Sequence, residues 1–135
     1  MKPPGRQMRA LFVCVENAGR SQMAEAFAKK PGADVSSAGT LPSIVVNPIV
    51  VAVMREKGID ISSAKPKMLT AEMIEQADIV VTMGCSVEEV CPAPLIARMK
   101  KKLVEWDLDD PKNQPIEKVR AIRDEIERKV ASLLN

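Results

Sequence analysis

The apolar positions of this chain follow two periodicities that alternate along its length. Residues 9–15, "RALFVCV", form a continuous apolar run with β-branched members, the pattern of a strand covered on both faces. "RSQMAEAFAKK" follows, rich in good helix formers, with Met23, Ala24 and Phe27 on one face and a stop at Pro31-Gly32. "ADVSSAG" predicts a short second strand. "NPIVVAVMREKG" predicts a helix capped by Asn47, with Pro48 in its first turn and Gly58 past its end. Thr70, with Glu72 and Glu75 after it, opens a shorter helix. "DIVVTMG" (78–84) and "KLVEWD" (102–107) read as two further strands. From Pro115 to Leu134 the residues Ile116, Val119, Ile122, Ile126, Val130 and Leu133 recur at spacings of three and four, which gives one long helix a single apolar stripe.

Strands that alternate with helices form a parallel sheet, because parallel neighbours need crossover connections and those connections cover both faces. The expected architecture is an α/β domain with a four-stranded parallel sheet and helices on both faces. The whole chain, residues 1–135, has the size of one such domain, with residues 1–7 as a flexible extension. Ligands of these sheets bind beyond the carboxyl ends of the strands. Cys14 ends the first strand. If the third strand lies beside the first, Cys85 ends its neighbour, and strands about 4.8 Å apart bring two cysteines within disulfide reach.

The stretch "CVENAGRS" (14–21) joins the first strand to the first helix. A loop leading into a helix N-terminus presents free backbone amides and the positive end of the helix dipole, so it suits a tetrahedral oxyanion. Val15, Glu16, Asn17, Ala18, Gly19, Arg20 and Ser21 are the candidate anion-binding residues. Arg20 adds a two-pronged guanidinium to the same anion. The field that holds the anion also favours the thiolate of Cys14, a nucleophile facing an electrophile. Ser21 can donate to that sulfur, Asn17 can brace the loop with its side chain, and Gly19 suits a crowded turn. Glu16 places a negative charge inside an anion loop, and its side chain is expected to point outward.

Composition narrows the chemistry. The formal charge is +2, with no basic stripe interleaved with aromatics, so no nucleic-acid partner is expected. The apolar runs are too short to span a membrane, and a cytoplasmic, monomeric protein is expected. In a reducing compartment the three cysteines, Cys14, Cys85 and Cys91, suit catalysis better than a disulfide framework. The chain contains no histidine, so the proton for a leaving oxygen falls to a carboxylic acid. In "DLDDP" both Asp110 and Asp109 are candidates, and Asp before Pro is also an ordinary turn former. Trp106 reads as packing at the end of the fourth strand. There is no tyrosine, and aromatics to line a phosphotyrosine cleft are scarce.

"LFVCVENAGRSQMAEAF", "SAGT", "NPIVVAVMREKGIDIS", "ADIVVTMGC" and "WDLDDP" together resemble the arsenate reductases built on the low-molecular-weight protein tyrosine phosphatase fold. The resemblance implies that Cys14 is the nucleophile, that Asn17, Arg20 and Ser21 belong to the anion loop, and that Asp110 is the general acid. It also implies that Cys85 and Cys91 carry a three-thiol relay whose final disulfide is reduced by thioredoxin or a similar thiol. Arsenate or phosphate would be the bound oxyanion. Some such reductases bind potassium near the loop, where Asn17, Glu25 and Ser37 match parts of the site. Here Lys65 and Lys67 stand in the segment that supplies an acid there, so no metal and no cofactor is expected.

Three functions fit these residues: arsenate reduction, hydrolysis of a phosphomonoester or phosphotyrosine, and oxyanion-dependent thiol sensing without turnover. The relay makes a structural demand. Ser86 and Glu89 have capping-box spacing, so residues 86–91 read as one or two helical turns. A helical rise of about 9 Å over six residues exceeds the roughly 7 Å a disulfide spans, so Cys85 and Cys91 join only if that helix unwinds. Pro92 and Pro94 would limit how far the unwinding spreads.

Overall fold

In the computed structural model, residues 8–84, 97–98 and 102–134 are described. The first strand, β1 (Arg9–Cys14), leads through a loop to α1 (Arg20–Lys29). There follow β2 (Asp34–Gly39), α2 (Pro48–Arg55), α3 (Ala71–Gln76), β3 (Ile79–Met83), β4 (Leu103–Trp106) and a long terminal helix, α4 (Ile116–Leu134). All neighbouring strands are parallel, in the order β2-β1-β3-β4. The expected α/β architecture and the pairing of the first strand with the third are both present.

Because side chains alternate along a strand, β1 serves two layers. Ala10, Phe12 and Cys14 face a core built with Met23 and Phe27 of α1, Val50 and Val53 of α2, and Val119, Ile122 and Ile126 of α4. Leu11 and Val13 face the other side, where Leu69, Ile74 of α3, Ala77 and Val80 cover them. Phe12 and Val13 are fully buried, as expected of a strand with no solvent-facing side. Trp106 packs on Phe12, ring centroids 5.8 Å apart, under the Lys129 ammonium.

The helix ends follow local chemistry. The Asn47 side chain accepts from the Ile49 amide at 3.0 Å and Pro48 opens α2, while Thr70 accepts from the Met73 amide at 3.2 Å to start α3. Three boundaries differ from the apolar pattern. β1 stops at Cys14 because the Val15 carbonyl turns aside to the Leu41 amide at 2.8 Å. β3 stops at Met83 because Gly84 adopts a left-handed φ of 81°, and α1 stops at Lys29, ahead of the helix-breaking Pro31-Gly32. Cys85 and Cys91, with the segment 86–91 and the two prolines after it, lie outside the described residues, as do residues 1–7. Among the described residues no helix is long and apolar enough to cross a membrane.

A charged clip ties α4 to the end of α2. Glu56, the last capping residue of α2, accepts from Arg120 Nη2 at 2.8 Å and from Arg123 Nη1 at 2.7 Å. Arg123 Nη1 also donates to the Val53 carbonyl at 2.9 Å, satisfying a helix-end acceptor. Hydrogen bonds from Arg120, then Arg123, pull the Glu56 carboxyl from 4.5 down to about 2. A carboxyl depressed by folding stabilises the fold above its ordinary range, and that effect is lost as pH falls from about 4.5 toward 2. Glu56→Gln should therefore flatten the loss of thermal stability across that acid window while leaving its shape above pH ~6 unchanged. Melting curves recorded across both ranges test this, and superimposable acid limbs for variant and wild type would discard the clip.

Candidate active site

The loop between β1 and α1 is shaped by where its carbonyls go. The Cys14, Val15, Glu16 and Ala18 carbonyls accept from the amides of Thr40, Leu41, Ser43 and Asn47, at 2.8–3.3 Å. With the carbonyls fastened to the 40–47 segment, the loop's own amides turn inward to its centre, which produces an anion-binding concavity. Gly39 makes this approach possible. A Cβ there would sit 2.5 Å from the Val15 carbonyl oxygen and 2.9 Å from the Asn17 nitrogen, both backbone atoms with nowhere to move. The Asn17 amide donates to Cys14 Sγ at 3.2 Å.

Asn17 is the hub. It takes φ 51°, a left-handed conformation that Asn tolerates better than most residues. Its Oδ1 accepts from the Lys67 amide at 2.8 Å and from Gln22 Nε2 at 3.1 Å, which fixes the orientation of the carboxamide. Its Nδ2 then donates to Ser21 Oγ at 2.7 Å and to Ser37 Oγ at 2.9 Å. Ser37 in turn donates a hydrogen bond to Glu25 Oε1 at 2.5 Å. Ser21 Oγ, which accepts from Asn17, also lies in hydrogen-bond contact with Cys14 Sγ at 2.8 Å, so its hydroxyl can donate to a Cys14 thiolate. The sulfur is in hydrogen-bond contact with both Ser21 and the Asn17 amide.

Glu25 closes the buried end of this chain. Burial would raise its pKa, but hydrogen bonds from Lys29 and Ser37 and the Lys67 charge outweigh burial and hold it lowered. Lys29 Nζ lies 2.5 Å from Oε2 and Lys67 Nζ 3.5 Å from Oε1. The segment of Lys65 and Lys67 therefore brings an ammonium to the carboxylate, and the Lys65 carbonyl accepts from Gln22.

Arg20 opens α1 and is 93% buried, yet it reaches the far loop: Nη1 donates to the Leu108 carbonyl at 2.9 Å and Nη2 lies 3.8 Å from Asp110 Oδ2. Asp110 faces a cavity of roughly 230 Å³ that Cys14, Val15, Glu16, Ala18, Gly19 and Arg20 also line. Asp109 turns away, held by Lys118 at 2.6 Å, which lowers its pKa. Gly19 is crowded, since a Cβ there would meet Pro111 at 3.0 Å. Glu16 is half exposed and paired with Lys112 at 3.0 Å. The structure thus gathers Cys14, Val15, Glu16, Ala18, Gly19, Arg20 and Asp110 about one cavity, with Asn17 and Ser21 fully buried behind it in contact with Cys14. Reasoning from sequence missed Lys112 and the role of Gly39, for which the one signal was a glycine ending the strand expected beside β1. It also missed the amides of 40–47, which carry no side-chain signature.

A thiol at the base of a loop between strand and helix, with an arginine and a carboxylate across the cavity, is an arrangement that suits an oxyanion and a cysteine nucleophile. The chain belongs to the low molecular weight phosphotyrosine protein phosphatase family, whose profile matches residues 9–135. It is 35% identical over 123 residues to arsenate reductase 2 of Staphylococcus haemolyticus, covering 90% of this chain and 92% of that one. A Halobacterium salinarum protein whose name also refers to arsenate reductase is 41% identical over 132 residues, with 92% and 89% covered. Among solved structures, the arginine phosphatase from Geobacillus stearothermophilus superposes with a TM-score of 0.80 at 30% identity, covering 94% of this chain and 90% of that one. A thioredoxin-dependent arsenate reductase from Corynebacterium glutamicum superposes with 0.73 at 34% identity, covering 97% and 62%.

The close approach at Gly39 is directly testable. Gly39→Ala should cost about 1–3 kcal/mol of stability, because the neighbouring atoms are backbone and cannot repack. It should also weaken phosphate binding. Denaturant unfolding and phosphate titration check both, and an unperturbed loop in the variant would show that the contact is dispensable.

Proposed function

We propose that this chain is an arsenate reductase that uses Cys14, Cys85 and Cys91 in sequence. What carries the reading is where β3 ends. Gly84 abuts the site arginine, with a Cβ there lying 3.1 Å from Arg20 Nη1 and 2.3 Å from the Leu108 oxygen, and in sequence the next residue is Cys85. The arsenate reductases among its relatives support the same reading.

The chemistry balances as follows. Arsenate binds to the loop amides and Arg20, and the Cys14 thiolate attacks arsenic while an oxygen leaves with the proton that Asp110 supplies. The Cys85 thiolate then attacks Cys14 sulfur, and the arsenic–sulfur bond breaks with its electron pair passing to arsenic, so arsenic(V) departs as arsenite. Two thiols have been oxidised to a Cys14–Cys85 disulfide and arsenic has gained the two electrons. Cys91 attacks Cys85 and frees Cys14, leaving a Cys85–Cys91 disulfide for an external dithiol such as thioredoxin. A reducing compartment such as the cytoplasm suits three free thiols, and every step is available to a monomer. The second reading, hydrolysis of a phosphoester, needs only Cys14, Arg20 and Asp110, which share one cavity.

Two experiments separate these readings. After one arsenate turnover without reductant, disulfide mapping by mass spectrometry should find Cys85–Cys91 with Cys14 free, and Cys14→Ser should abolish arsenite release. A final disulfide that retains Cys14, or arsenate-independent phosphoester turnover that survives loss of Cys85, would favour the hydrolase. For the acid, Asp110→Asn should slow turnover by roughly a hundredfold with oxyanion binding nearly intact. Asp109→Asn, whose partner is Lys118, should leave it within about threefold. Reversed effects would move the role to Asp109.

A further inference from the structure

Glu16 is the one carboxylate inside the anion loop, and neither reading of the reaction uses it. Its backbone is pinned, since its carbonyl accepts from the Ser43 amide at 2.9 Å, so its side chain stays at the mouth of the cavity. Lys112, from the opposite loop, lines the same cavity and donates from Nζ to Glu16 Oε2 at 3.0 Å. Its backbone amide holds Asp110 Oδ1 at 3.0 Å. The hydrogen bond that Lys112 donates to Glu16, then the charge of that carboxylate, raises the Lys112 pKa. Both partners are open to water, where such a pair adds little to stability. Charge is the remaining reason for it. Among the described residues four ionic side chains line this cavity, Glu16 and Asp110 against Arg20 and Lys112, and they pair crosswise between the two loops.

We propose that Lys112 determines the site's affinity for doubly charged oxyanions by cancelling Glu16 at the mouth of the cavity. Without Lys112 two carboxylates would oppose the single charge of Arg20, and an entering dianion would meet a repulsive rim. The inference rests on the oxyanion site proposed above but not on the thiol relay.

Protection of Cys14 from iodoacetamide by inorganic phosphate, read on the Cys14 peptide, measures anion affinity with no need of arsenic, Cys85 or turnover. Lys112→Met should weaken phosphate binding about three- to tenfold at low ionic strength, and the deficit should shrink toward parity near 1 M salt. Adding Glu16→Gln to Lys112→Met should recover most of the lost affinity, and Lys112→Arg should hold it. Melting temperatures of each variant show that the loops still fold. An unchanged affinity in Lys112→Met overturns the proposal. So does a loss that Glu16→Gln fails to recover or that salt fails to shrink, since Lys112 would then contact the anion itself or merely pack the loop. Failure of the arsenate-reductase reading would appear in the disulfide map and leave these affinities as predicted.

Discussion

Four backbone hydrogen bonds, from the amides of residues 40–47 to the carbonyls of the anion loop, set the conditions for everything else in the site. A peptide unit has its N–H and C=O on opposite sides, so fastening the oxygens outward commits the nitrogens inward. The anion cradle is thus a by-product of hydrogen-bond satisfaction on the loop's outer rim. It needs β2 beside β1 in register, with Cys14 opposite Gly39, and it needs that glycine to be bare. Those bonds belong to the folded chain itself, so they order the loop as part of folding.

Inside that rim the polar side chains form one directed chain. The forced orientation of Asn17 makes both Ser21 and Ser37 acceptors of its amide nitrogen. Ser37 in turn donates to Glu25, and Ser21 shares a hydrogen bond with the Cys14 sulfur. The direction of the network therefore follows from the Lys67 amide, fifty residues from Asn17 in sequence, and not from any property of the serines.

The elements were legible because their signals are local. A buried parallel strand has an unbroken apolar run, and α4 carries its stripe with little interruption, so residues 9–14 and 116–134 could be placed to within a residue or two. Cys14, Arg20 and Ser21 were legible because a loop between strand and helix has few possible geometries. Lys112 was not, because nothing in "DDPKN" says that its side chain crosses to Glu16. Which of Asp109 and Asp110 faces the cavity was likewise closed to sequence. Adjacent residues of one turn face different ways, and Lys118, on the first turns of α4, takes the former.

The order in which the sheet is written along the chain has a consequence for synthesis. The anion cradle uses nothing beyond Lys67, whereas the Leu108 carbonyl and Asp110 come about forty residues later, past the edge strand β4. The fastenings of the loop are therefore synthesised before the groups that face Arg20 across the cavity. During that interval a guanidinium that the finished molecule buries has neither the Leu108 carbonyl nor Asp110 beside it.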